Sequence, residues 1–361
     1  SFPTRRSSDL DALHANDDIN ISGGSLLLTA VGDGLQSDGS LTVSGGDLSV
    51  STTGDPSQAD ASSTKGIKAE TSLVISAGSL NVASADHALH SADSIEISGG
   101  SLTLNSAAGK GISGHGNVTV SGGDIEILNS TEGIESKAVL TVNDGNIRIR
   151  ATDDGLNSGG DNGGLMGGGF RLDRNGQTPP EQGGGTMQAP PEITPEGEAP
   201  QQGHMRPQQG EMPPDGMPNG TEAAPGGNGA PKNTEAVSSG ASNNQIVING
   251  GTIYINADGD GIDSNGTLTF HGGDVIIDGP TSGGDGALDS EGIMTVNGGT
   301  LIAVGSAGMA QAPDSGSSQN AVRINFSSLQ TAGTVLTLKD NAGTELLSHT
   351  PAKNYQSLVF S

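Results

Sequence analysis

A leucine or isoleucine recurs at Leu13, Leu35, Ile67, Leu89, Ile112, Ile134, Leu156, Ile262 and Leu288, and side chains that titrate or bind metals crowd the positions beside it. Two residues before it the chain reads Asp11, Asp33, Lys65, His87, Lys110, Glu132, Asp154, Asp260 and Gly286. One residue after it come His14, Gln36, Lys68, His90, Ser113, Glu135, Asn157, Asp263 and Asp289. If the repeats stack as parallel strands, each set becomes a column whose neighbours are about 5 Å apart. Asp154 then lies beside Asp260, and Asp263 beside Asp289, with Asp153, Asp258 and Asp285 close by. Like charges at that spacing repel, and few basic residues stand near to offset them. A Ca²⁺ ion, which takes 6–8 oxygen ligands, would offset them. The alternative is solvated acid with loosely held counterions. Asp11 and Asp33 make a smaller second candidate. The stretch Asn256-Ala257-Asp258-Gly259-Asp260-Gly261 imitates the start of an EF-hand loop, but Thr267 stands where its bidentate Glu belongs.

A second set is basic. Lys65, Lys68, His87, His90 and Lys110 fall on three successive repeats, with His115 near, in a chain whose 15 basic and 41 acidic residues leave a net charge of −26. One account is ordinary pairing between repeats, such as Lys110 with Glu132. The other is a strip that reads carboxylates along an acidic polysaccharide, with lysines as point charges and histidines strengthening the contact as pH falls. Catalysis is less well served. A pectate-lyase-like reaction needs Ca²⁺ and a basic residue to abstract the proton α to a uronate carboxylate. Arg148 and Arg150 share one face of a strand, but a third of a turn or more from the Lys/His column. Glycoside hydrolysis needs one carboxylate pair about 5–10 Å apart, and here too many carboxylates compete for that role. No G-x-S-x-G, H-E-x-x-H or P-loop pattern occurs, so a non-catalytic protein is expected. Aromatic residues are 2% of the chain, and in the repeats only Tyr254 and Phe270 stand out. Sugar recognition would rest on charge, calcium bridging and hydrogen bonds rather than on an aromatic platform.

The elements that must position these columns follow from the spacing. The recurring Leu/Ile positions are 22, 32, 22, 23, 22, 22, 106 and 26 residues apart. The base period is therefore 22, with an insertion of about 10 after the second unit and about 84 in the seventh. Each unit reads roughly D-G-[IL]-x-S, then [IL]-x-[VI]-S-G-G-x-[IL]-x-[VI]. Alternation such as Leu41-Thr42-Val43 and Leu48-Ser49-Val50 marks short strands with one buried face. Pairs such as Gly45-Gly46, Gly99-Gly100, Gly122-Gly123, Gly250-Gly251, Gly272-Gly273 and Gly298-Gly299 break the strand at a corner. Three short strands per unit predict an all-β, right-handed parallel β-helix of nine three-sided rungs, on the order of 40 Å long. A calcium-roll repeat predicts a period of 9 and does not fit.

Composition agrees. Glycine supplies 60 of 361 residues and tryptophan none, so a core of large side chains is excluded. The absence of cysteine excludes disulfides and thiolate metal sites. The acidic balance argues against nucleic acid and anionic membrane as partners, and no apolar run approaches the roughly 18 residues of a membrane span. Residues 1–10 lack an apolar h-region, share nothing with the repeat, and are read as a non-native, adapter-like segment. Rungs one to seven are expected over 11–158. A Gly/Pro/Gln-rich insertion, expected to be disordered, occupies 159–241, and rungs seven to nine occupy 242–310. Residues 311–361 are expected to form a β cap, with a hairpin at Val335–Leu338 and Glu345–Leu347 around Asp340-Asn341-Ala342-Gly343.

The repeat unit, the Gly/Met/Pro/Gln-rich insertion after Asp154-Gly155-Leu156-Asn157-Ser158, and the ending Asn354-Tyr355-Gln356-Ser357-Leu358-Val359-Phe360-Ser361 resemble a family of secreted bacterial carbohydrate-binding domain-containing proteins. The resemblance covers nearly all of 11–361. It implies a calcium-binding β-helix that binds plant cell-wall or other acidic polysaccharide of the polygalacturonate type. It also implies Ca²⁺ at Asp-rich rung corners, here Asp153, Asp154, Asp258, Asp260, Asp263, Asp285 and Asp289. An extracellular or cell-surface monomer is the expectation, with a structural, adhesin-like rod or a polysaccharide lyase as alternatives.

Overall fold

The computed structural model describes residues 11–55, 63–159 and 244–361; the expectations for 1–10 and for the insertion fall outside them. The described residues form strands and no helix. The nine aligned Leu/Ile residues are register partners in one parallel nine-stranded ladder of three-residue strands, from Leu13–Ala15 to Leu288–Ser290. Leu156 pairs with Ile262 although 106 positions separate them in sequence. Two further parallel ladders complete each coil, so the described residues form a β-solenoid of nine coils.

The packing follows from the period-2 pattern. In coil five Ile112, Val118, Val120, Ile125 and Ile127 are all at most 2% exposed, and the same positions of the other coils join them in one continuous core. Coil one is the exception, where Leu13 is exposed and Leu26 and Leu28 are only partly buried against that core. Methyl-rich side chains suffice because each coil buries its apolar face against its neighbours. The serine that ends D-G-[IL]-x-S also faces inward and donates to a corner carbonyl. Ser136 Oγ bonds Gly116 O at 2.9 Å and Ser158 Oγ bonds Ala138 O at 2.8 Å. The hydroxyl thus satisfies an acceptor that the turn would otherwise leave buried and unpaired.

Four of the six Gly-Gly pairs, at 99–100, 250–251, 272–273 and 298–299, break the strand as expected. Gly45-Gly46 and Gly122-Gly123 only kink it, giving the continuous strands Leu41–Thr52 and Val118–Asn129 with a register shift at the glycines. Stacked glycines let successive backbones pass the corner in contact, which keeps pairing alive through it. Gly273 has φ +87°, and an added Cβ would stand 2.9 Å from Gly250 O. The glycine of D-G-[IL] has a different reason: a Cβ on Gly155 would collide with Ile255 and with the carbonyl of Gly261 in the next coil.

The C-terminal segment contains the expected hairpin, Leu336–Lys339 with Glu345–His349, closed by Asp340 accepting from Ala342 N and Thr344 N. Tyr355–Phe360 runs antiparallel against the last coil strand, Thr300–Gly305, and against Val322–Gln330. It covers the open ladder edge. A second small core forms on the outer side of this sheet, where Ile302, Val304, Tyr355 and Leu358 meet Ile276, Phe326, Leu336 and Leu347. Asp278, fully buried, anchors the return of the chain. It accepts from Tyr254 Oη at 2.8 Å and Ala352 N at 3.0 Å, and its Oδ1 lies 2.7 Å from His349 Nε2. Burial alone would raise its pKa; these partners outweigh burial and hold it below the ordinary value.

Gly273→Ala is expected to cost about 1–3 kcal/mol, since it adds positive-φ strain to a backbone collision. Denaturant melting would show the loss as a lower midpoint. An unchanged midpoint would contradict the stacked-corner account.

Candidate functional site

The short ladder places both titratable columns in register, as Asn157↔Asp263 and Asp263↔Asp289 illustrate. The motif aspartate two residues before the Leu/Ile has a structural task. Its Oδ1 accepts the backbone N–H at the same position of the next coil: Asp11 from Asp33 N, Asp33 from Lys65 N, Asp154 from Asp260 N and Asp260 from Gly286 N, at 2.6–2.8 Å. His87 Nδ1 does the same for Lys110 N at 2.9 Å. The column one residue after the Leu/Ile points away from the apolar core, yet His90, Ser113, Glu135 and Asn157 are all at most 9% exposed. This edge is a packed polar row rather than an open face.

In coils three to five the five basic residues of the sequence reading do lie together. Each lysine is already paired: Lys65 Nζ with Asp86 at 2.9 Å, Lys68 Nζ with Glu70 at 2.7 Å, and Lys110 Nζ with Glu132 at 3.4 Å and, closer, with Glu135. The rings of His87 and His90 are 5.4 Å apart, and those of His90 and His115 5.0 Å. Burial pushes the His87 imidazole down to about 4, against the pull of Asp86. Burial and the neighbouring His87 push His90 down to about 2. Burial thus opposes protonation of both rings, which counts against a sugar contact that strengthens in mild acid.

The acids gather into two groups. Glu132, Asp153 and Asp154 present carboxylate oxygens all within 4.8 Å of one another, and so do Asp260, Asp263 and Asp289. Five of the seven aspartates singled out from sequence are in these groups. Of the other two, Asp258 pairs with Lys353 Nζ at 2.6 Å, and Asp285 accepts from Ser282 Oγ at 2.6 Å. Glu132 is the member the sequence reading passed over as a partner for Lys110. Its signal was its place in the Asp154 column.

Burial dominates the electrostatics here. It raises Glu132 to about 7, opposed by Lys110 and assisted by Glu135 and Asp153. It lifts Asp154 well above the carboxylate range, with Asp153 and Asp260 adding to the effect. It raises Asp260 to about 7, against the Gly286 N–H and helped by Asp263 and Asp289. Such a row reaches neutrality in one of two ways, by holding protons or by holding a cation. Two buried acceptors, Glu132 Oε2 and Asn157 Oδ1, have no hydrogen-bond partner among the described residues. Asn157 Nδ2 reaches Asp154 Oδ2 at 3.3 Å, so its orphaned oxygen adjoins the first group. An all-oxygen donor set with orphaned acceptors fits a hard divalent cation such as Ca²⁺ and suits soft metals poorly.

A family model described as carbohydrate-binding domain-containing protein matches residues 6–110 and 99–197, together just over half of the chain. No curated protein and no solved structure matches it.

The raised carboxyls fix the sign of a pH effect. A folded-state pKa near 7 for Glu132 and Asp260, against about 4 unfolded, gives stability that is complete below about pH 4 and lost as pH rises through 7. In chelator the melting temperature is expected to fall by several degrees between pH 5 and pH 8. The Glu132→Gln/Asp260→Asn variant, which keeps the acceptor for Gly286 N–H, should fall much less. Parallel curves for the two proteins would contradict the assignment.

Proposed function

The chain belongs to the carbohydrate-binding domain-containing protein family, and from that premise we propose that it is an extracellular or cell-surface, non-catalytic module that binds acidic polysaccharide with the help of Ca²⁺. The stacked carboxylate groups of coils six to nine carry the reading. Glu132, Asp153 and Asp154 would hold one ion, with Asn157 Oδ1 beside them, and Asp260, Asp263 and Asp289 a second. Bound Ca²⁺ supplies charge that the lysines of this edge, already paired, do not supply, and that charge also attracts a uronate carboxylate. The protein's own part is rigidity. Asp154 and Asp260 are fixed by the N–H groups they accept, and Asp289 by Gln311. The donor oxygens are thereby held in place before any ligand arrives.

A second reading has its own support. Because Asp154 and Asp260 already stitch one coil to the next, an ion there would stiffen a structural rod that reads no sugar at all. Calorimetric titration separates the two. Heat with Ca²⁺, followed by polygalacturonate binding that chelator weakens without abolishing, is the expected result. Calcium heat without any response to the polysaccharide would move the assignment to the rod. No calcium heat would overturn the cation reading of both acidic groups.

A further inference from the structure

The lysines of the basic edge are paired, but two arginines elsewhere are not. Arg148 and Arg150 point outward from Val139–Ala151, both are exposed, and no hydrogen bond or ion pair engages either guanidinium among the described residues. Their register partners in coil seven are Tyr254 and Asn256. Adjacent coils are about 4.8 Å apart, so the Arg148 side chain leaves the surface one strand from the Tyr254 ring. That ring is fixed, because its hydroxyl donates to the buried Asp278 at 2.8 Å. Tyr254 is half-buried, which leaves part of the ring in reach of solvent.

The rest of this outward column shows why the place is particular. From coil two it reads Ser49, Asn81, Thr103, Glu126, Arg148, Tyr254, Ile276 and Ile302. Small polar groups fill the early coils, and the C-terminal segment covers Ile276 and Ile302. Between these stretches the surface offers cation and aromatic together, next to a shallow groove lined by Ser101, Thr103, Asp124, Glu126, Asn146 and Arg148. A guanidinium fork grips a carboxylate through two parallel hydrogen bonds, and an aromatic face packs against the C–H face of a pyranose. Asp124 and Glu126 repel a carboxylate placed over coil five, so the anion is confined to coil six.

We infer that Arg148, Arg150 and Tyr254 form a subsite for a carboxylate-bearing sugar ring, a uronate residue of a polysaccharide. The inference rests on the carbohydrate-binding reading but needs no metal. Arg150 precedes Asp153 by three residues, so the subsite lies just around a corner from the acidic edge.

The test titrates the full chain in chelator with trigalacturonate and with the neutral galactose trisaccharide. Trigalacturonate is expected to bind, and Arg148→Ala/Arg150→Ala to weaken it by about tenfold or more with an unchanged melting temperature. Arg148→Lys, which keeps the charge but loses the fork, should fall between the two. Tyr254→Phe, which keeps the ring, should retain more binding than Tyr254→Ala. Trigalacturonate bound equally well by the double-arginine variant would overturn the subsite. Binding of the neutral sugar alone would also overturn it while leaving the family reading intact. No binding of either sugar in chelator would overturn the subsite, and no binding after Ca²⁺ is restored would overturn the carbohydrate-binding reading as well.

Discussion

In a stacked coil the backbone N–H and carbonyl groups point along the rod axis, so no coil satisfies its own. Each is completed by the coil above and the coil below, and this turns register into the controlling variable of the structure. A slip by one residue would bury the polar positions and expose every Ile and Leu of the coil. The 22-residue repeat prevents that slip with several devices at once. The Leu/Ile of the short ladder fills the core, the following serine ties off a corner carbonyl, and the aspartate before it accepts an N–H from the next coil. The glycines lie where a Cβ would strike the neighbouring backbone. A motif of five residues therefore specifies a position in three dimensions, not only a strand.

The same devices bear on the chemistry of the acidic edge. An aspartate recruited to stitch coils is also an aspartate brought close to the next one. When the stitching residue is His87, or when Lys65 and Lys110 interrupt the column, charge is balanced within the protein. When the column runs Glu132, Asp154, Asp260, it is not, and burial lifts Glu132 and Asp260 to about 7 and Asp154 well above the carboxylate range. Structural and binding roles are not alternatives at these positions. One carboxylate oxygen of Asp154 or Asp260 serves the fold, and the partner oxygen faces the crowd of its neighbours.

The coil architecture was legible in the sequence because its signals are local and repeated. All nine aligned residues are register partners, and inward residues alternate as the period of 2 requires. Side-chain contacts between coils were harder to read. Outward-pointing His90, Glu135 and Asn157 are buried, because on a narrow edge two adjacent polar columns cover each other. No periodicity reports that. The pairing of Lys110 with Glu132 is one of the two accounts the sequence offers, but nothing in the run of basic residues picks out Asp86 for Lys65 or Glu70 for Lys68. The second core under the C-terminal segment did have a signal, the change from polar residues to Ile276 and Ile302 at outward positions. It becomes visible only once the columns are aligned.

Coil seven is closed by residues far apart in sequence, and this orders events in time. Coils one to six are complete once the chain reaches Ala151, and each joins segments only 22–32 residues apart. Coil seven must bring Gln245–Ile248 onto Val139–Val142. In equilibrium terms the longer closure costs only ~1.4 kcal/mol more than an ordinary coil. On the ribosome it is another matter. At typical elongation rates roughly 5–20 s pass between the emergence of Ala151 and that of Gln245. During that interval a finished six-coil stack presents Val139–Ala151 as a long, unpaired ladder edge, the kind of surface that recruits strands from other chains. The outward Arg148 and Arg150 on that strand place two like charges on the edge, so that an identical nascent stack meets repulsion before its backbone can pair.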